Sequence, residues 1–167
     1  DIQGISIDSY ALDTLGGQIS GSGRIEYRDS LHGQLKISGT QIDTRLIQDA
    51  VPGRLNFDST LLLESGEVFS LDVTTVNALI NGNEYSGKGT VHWFDGEPSA
   101  VDGVVLAGTN RMSVDVKLGQ QLAGTISADL PDLALLWPGL QGRMDAKMDL
   151  DGRMARAEVE FNCDGAL

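Results

Sequence analysis

The chain has 167 residues, 41% of them hydrophobic but only 5% aromatic, and a net charge of -12. That length suits one sizeable domain with an aliphatic core. The acidity excludes a nucleic-acid binder, which needs a basic stripe, and argues against docking on an anionic membrane surface.

Taken in chain order, one pattern dominates. Apolar and polar residues alternate with period two, the mark of half-buried strands. The alternation predicts strands over 4–10, 18–27, 33–39, 53–64, 67–76, 79–81, 85–95, 99–107, 111–118, 121–130, 142–150 and 155–162. One parity collects Leu55, Phe57, Leu61 and Leu63, then Phe69, Leu71 and Val73, then Tyr85, Val91 and Trp93. Further on it collects Met112, Val114, Val116 and Leu118, then Leu122, Ile126, Ala128 and Leu130, and finally Met144, Ala146, Met148 and Leu150. Turn residues separate the runs, among them Asn81-Gly82 and Asp95-Gly96. The 21 glycines fit many short strands, and a loose apolar-Gly-x-apolar theme opens several of them. Two stretches break the period. TQIDTRLIQDAVPG sets Ile42, Leu46, Ile47 and Ala50 near helical spacing, and LPDLALLWPG is a short apolar run in which Asp132 is placed to cap a single helical turn.

About twelve strands at ~4.8 Å spacing would make an open sheet ~55 Å wide. Sheets that wide curl or fold into two layers. No amphipathic helix long enough to cover the apolar face is present. The face therefore meets itself, as a sandwich or barrel, or curls into a trough whose lining meets a ligand.

Candidate chemistry is sparse. His32 and His92 are far apart; His92, between Val91 and Trp93, belongs to the wet face, and Asp29-Ser30-Leu31-His32 has turn composition. A Ser-His-Asp arrangement rests on a three-dimensional geometry that sequence does not show, and turn composition is the stronger reading. Asp145, Asp149 and Asp151 share one parity but lack the ligand number and terminal Glu of a calcium loop, so they read as a solvated acidic edge. Gly21-Ser22-Gly23 lacks the third glycine and following helix of a phosphate loop. Cys163, the single cysteine, has no nearby His for a zinc site and no partner for an intramolecular disulfide. No metal, no cofactor and no enzymatic activity are expected. No apolar run approaches the roughly 18 residues of a membrane helix, no signal-peptide pattern is present, and the chain reads as a single β-rich segment, 1–167, excised from a longer protein.

The segment GTISADLPDLALLWPGLQGRMDAKMDLDGRMARAEVEFN, residues 124–162, resembles the TamB family of bacterial envelope proteins within the AsmA-like group. A strand runs into a leucine-rich dip (Leu133 to Trp137), then Pro138-Gly139-Leu140, then a strand opened by Gly142, then Gly152 and a further strand. Ala157 departs from the family, which usually has proline there. MSVDVKLGQQLAGTISADL and PGRLNFDSTLLLES are similar in style. The resemblance points to an internal or C-terminal-half fragment of a long, inner-membrane-anchored periplasmic protein of a Gram-negative bacterium. It implies an all-β, elongated, curled and folded-over sheet (β-taco-like) with an apolar groove and a polar exterior. It further implies phospholipid transport between inner and outer membranes and, with a TamA-like outer-membrane barrel partner, support of outer-membrane protein assembly and envelope integrity.

On that reading the partners are phospholipid acyl chains. The groove lining is Leu55, Phe57, Leu61, Leu63, Phe69, Leu71, Val73, Val91, Trp93, Met112, Val114, Val116, Leu118, Leu122, Ile126, Leu130, Met144, Met148 and Leu150. Aliphatic walls suit a conduit, because burying acyl methylenes is worth roughly 0.8 kcal/mol each without demanding a specific headgroup. Two other classes compete. A structural or adhesive β-module would share the strands but close its core and carry no lipid. An enzyme on a β-helix, acting for example on polysaccharide, calls for clustered carboxylates beside exposed aromatics, which are scarce here.

Overall fold

A computed structural model describes residues 3–27, 30–48, 51–65, 67–119, 121–136, 139–152 and 158–164, the last of these as backbone. Eleven strands form one antiparallel sheet in strict chain order, each strand paired with its sequence neighbours. They are β1 (Gln3–Thr14), β2 (Gly17–Tyr27), β3 (Leu31–Asp43), β4 (Gly53–Leu63), β5 (Val68–Ile80) and β6 (Asn83–Phe94). β7 (Glu97–Ala107), β8 (Asn110–Lys117), β9 (Leu122–Leu130), β10 (Arg143–Gly152) and β11 (Glu158–Asp164) follow. β1 and β11 stay at opposite edges, so the sheet is elongated and curled but does not close into a barrel. Trp137, Pro138, Asp29 and Ala157 lie outside the described residues.

Turn chemistry sets the hairpins. Leu15-Gly16, Asn81-Gly82 and Asp95-Gly96 all have positive φ at both central positions. That is the two-residue turn whose twist matches the flanking strands. Asn, Asp and Gly tolerate it; Leu15, at φ 51, is the unusual member.

Twelve expected strands become eleven because residues 67–76 and 79–81 are one strand. β5 carries a bulge between Val73 and Val76, where the register against β6 slips. The extra residue breaks the alternation without ending the strand. A second bulge accounts for the helix-like spacing around Ile42. β3 runs on to Asp43, with its register against β4 shifting between Gly39 and Ile42. Gln41 sits there at φ 56, and Asn56 accepts a hydrogen bond from its backbone N–H at 2.8 Å. Among the described residues of this stretch only Thr44–Leu46 is helical, as a single 3-10 turn whose N-cap is Asp43; Ala50 lies outside the described residues. The second irregular stretch likewise forms one 3-10 turn, Leu133–Leu135. Asp132 caps it as expected, its carboxylate accepting from the N–H of Ala134 at 3.1 Å.

Candidate functional site: an uncovered apolar face

Residues directly opposite in an antiparallel pair point to the same side of the sheet, so the register fixes which side chains share a face. Leu61, Leu71, Val91, Val101 and Val116 face one another in succession across β4 to β8, followed by Gly124 and Leu150. Parallel rows flank this one. Val73, Gly89, Gly103, Val114, Ile126 and Met148 form the next. Phe57, Val76, Gly87, Val105, Met112 and Ala128 form another. One rim of the face holds Leu63, Phe69 and Trp93, the last two stacked with ring centroids 4.8 Å apart. The other rim holds Leu55, Ala78, Tyr85, Ala107 and Asn110, with Leu130 opposite Met144 further along. Leu122 faces Gly152 at the end of β9, and Leu118 follows β8 in step with Val116. Every residue of the candidate lining therefore falls on a single side of the sheet.

The expected lining left out residues of the first three strands. Ile5, Ile25, Leu35 and Ile37 continue the same face through β1 to β3. The signal there is diluted by glycines at facing positions. Gly21 lies under the ring of Tyr10, Gly23 under Leu35 and Gly39 under the ring of Phe57, so each large side chain occupies the space its neighbour lacks. Gly21-Ser22-Gly23 is thus strand, not a phosphate loop.

Little covers this face. Among the described residues, the buried hydrophobic side chains are Ile42, Ala78, Ala107, Val116, Leu130 and Leu150. Leu61, Leu71, Val91, Met112 and Val114, in the middle of the rows, are only half-buried. A sandwich or barrel core would drive them to near-complete burial.

Four of these six buried hydrophobic residues, Ile42, Ala78, Ala107 and Leu130, lie at one rim, where both 3-10 turns also sit. The first turn is held by Asp43, whose backbone N–H donates to Leu15 O at 2.8 Å and whose carboxylate takes two hydrogen bonds from the Arg45 guanidinium. Those bonds lower the Asp43 pKa to about 2. Arg54 ties the neighbouring β1–β2 turn down by donating to Gly16 O and Gln41 O. The second turn lies across the strand ends. Tyr85 on β6 donates to the carbonyls of Leu135 and Leu136, and Asn110 on β8 exchanges two hydrogen bonds with the backbone of Asp132.

The opposite face is mainly polar, with Leu62, Leu79, Phe94 and Leu106 exposed among its polar residues, and it pairs across strands: Ser38 donates to Asp58 at 2.6 Å, Thr90 to Asp72 at 3.3 Å and Thr125 to Asp149 at 3.0 Å. His92 is exposed on this face, opposite Ser70. Asp145, Asp149 and Asp151 stand exposed along β10. Asp149 pairs with Lys147 at 2.8 Å, and its pKa is lowered by hydrogen bonds from Lys147 and Thr125. Among the described residues no group of His, Cys, Asp or Glu is arranged to hold a metal ion. Ser30 Oγ lies 2.7 Å from His32 Nε2 at the surface. A concavity of about 570 Å³ is bordered by Asp72, Lys88, Thr90, Asp102 and Arg111 of this face. A twisted sheet is saddle-shaped, so each face is concave along one diagonal. Among the described residues no helix is long and apolar enough to cross a membrane.

These features define a class: an open antiparallel β-sheet with one wet face and one apolar face left largely without a covering layer. The chain belongs to the TamB family, because the model of the TamB N-terminal domain matches residues 1–166. This corrects the expectation of an internal or C-terminal-half fragment. The strand–Gly–strand pattern that carried the resemblance is a property of the sheet itself, so it identifies the family without identifying the segment. No curated protein and no solved structure matches the chain.

Proposed function

We propose that this chain is a segment of a periplasm-spanning bridge whose apolar face carries phospholipid acyl chains between the inner and outer membranes. Membership of the TamB family supports a role in the translocation and assembly module. The observation that carries the finer reading is the set of half-buried aliphatic side chains running across the strands with no layer of the described residues over them. Rows of this kind span about 43 Å over the ten strands β1 to β10 at ~4.8 Å spacing, so an acyl chain can lie along the sheet while staying out of water. The lining is aliphatic, which gives strong but unspecific contact and lets cargo leave. The role is non-enzymatic and uses no cofactor or metal. In the full protein the bridge is anchored in the inner membrane of a Gram-negative bacterium and works with a TamA-like outer-membrane barrel. The closed-core alternative calls for a buried face; the partial exposure of Leu61, Val91 and Val114 speaks for the open one.

The test uses the register as its own control. Val114 points to the apolar face, opposite Gly103 and Ile126; Ser113 points to the polar face, where its hydroxyl bonds that of Ser127 at 2.7 Å. A photo-crosslinking residue is placed at each position in the full-length protein in cells, and adducts are read by mass spectrometry. Phospholipid is expected at 114 and not at 113. A folded protein with lipid at neither position overturns the conduit.

A further inference from the structure

The segment 131–136 has a construction unlike that of the other described connections. It follows β9 and crosses β8 and β7 to reach Tyr85 on β6. None of the residues in its 3-10 turn is buried. It is held instead by discrete polar bonds. Asn110 Nδ2 donates to Asp132 O at 2.6 Å and Asn110 Oδ1 accepts from Asp132 N–H at 3.0 Å. Tyr85 Oη donates to Leu135 O and Leu136 O at 3.3 and 3.2 Å. Leu135 also rests against Gly108, at φ 59 in the β7–β8 turn. A third hold is Leu133 N–H donating to Gly142 O at 3.0 Å. The two side-chain fasteners point from the apolar face, and they flank Ala107, which is 1% exposed, as is Asn110. A tyrosine hydroxyl and a carboxamide on an aliphatic face would be costly without partners; the strap supplies them.

We propose that residues 131–136 are a latch that closes one rim of the trough. Acyl chains are kept off the Ala107 rim, and the opposite rim, at Leu63, Phe69 and Trp93, is left as the side mouth. This rests on the conduit reading above. Because the latch is fastened by hydrogen bonds rather than by buried side chains, it opens as a local unit while the sheet remains folded.

Thiol labelling tests it on the whole chain. In a Cys163→Ser background, Ala107→Cys is placed under the latch and Ile126→Cys on the open face. Each is treated with a short water-soluble maleimide and with a maleimide bearing a long acyl chain. With the latch intact, Ala107→Cys is expected to react about tenfold or more slowly than Ile126→Cys with both reagents. Tyr85→Phe should narrow that gap, and Tyr85→Phe with Asn110→Ser should nearly close it, while circular dichroism keeps the β signal. Equal labelling of Ala107→Cys and Ile126→Cys at the outset overturns the latch, as does protection unchanged in the double variant. If the double variant loses its β signal, the strap is structural cement and the latch falls. If Ile126→Cys shows no preference for the acyl reagent while Ala107→Cys is still protected, the conduit fails and the strap is left as a cover without cargo.

Discussion

Leu130 and Ile126 lie on the same strand and the same face, four residues apart. One is 2% exposed and the other 39%. Their strand, neighbours and chemistry are alike; what differs is the loop above them. At the roofed rim burial is therefore set by the connection folded over the face; Val116 and Leu150, the buried members of a middle row, instead flank the space left by Gly124. Ile42, Ala107 and Leu130 lie at the rim where the two long connections turn back. The middle rows have no such cover.

That contrast can be broken most sharply by truncation. Leu130→Ala should cost about 3 kcal/mol and Ile126→Ala less than about 1 kcal/mol in urea unfolding, because only the first leaves a cavity. Equal losses would mean that the open rows are packed after all. Val114→Asp should lower stability by only about 1 kcal/mol, since its charge still reaches water, while abolishing the phospholipid adduct at a neighbouring Ile126 crosslinker. Unfolding of this variant would mean a closed core. At the open rim, a double-mutant cycle on Phe69 and Trp93 should return a coupling of about 1 kcal/mol, the worth of one stacked pair. A cycle near zero would remove the stack as the stiffener of that rim.

Two smaller effects belong to the turns. Leu15→Asn should raise stability by about 1 kcal/mol, because Asn accepts the left-handed backbone that Leu15 adopts. Asp43 gives the roofed rim an acid limit. Its carboxyl is held down from 3.8 to about 2, so its contribution is complete above the ordinary carboxylate value and is lost as pH falls through about 2. Amide exchange at Arg45, whose N–H donates to that carboxylate, should quicken between those values, and Asp43→Asn should abolish the change.

The face was legible because the pleat imposes a period of exactly two residues, and Leu55, Leu61, Val114 and Met148 obey it whatever their strand does later. It was illegible wherever the chain adds a residue. The bulge at Thr74 and Thr75 moved Val76, Ala78 and Ile80 off the parity of Phe69, Leu71 and Val73, so the end of β5 was not recognised as the same strand, and the bulge at Gln41 made Ile42 look helical. In β2, glycines stand where apolar side chains would have declared the face, with the missing bulk supplied from Tyr10 and Leu35. The roof had no periodic signal at all. Asn110 and Asp132 are polar, 22 positions apart, and meet only because β8 and β9 are paired.

The order of the strands has a consequence for evolution and engineering. Each strand pairs only with those beside it in sequence, so the ladders join neighbouring strands throughout, and none joins β1 to β11. Removing or duplicating one hairpin shortens or lengthens the sheet by about 10 Å. It leaves every remaining strand running the same way, with the same side wet and the same rim roofed. A single-strand change would reverse the direction of everything downstream and carry its connections to the wrong rim. The reach of such a sheet is adjustable, but only in steps of two strands.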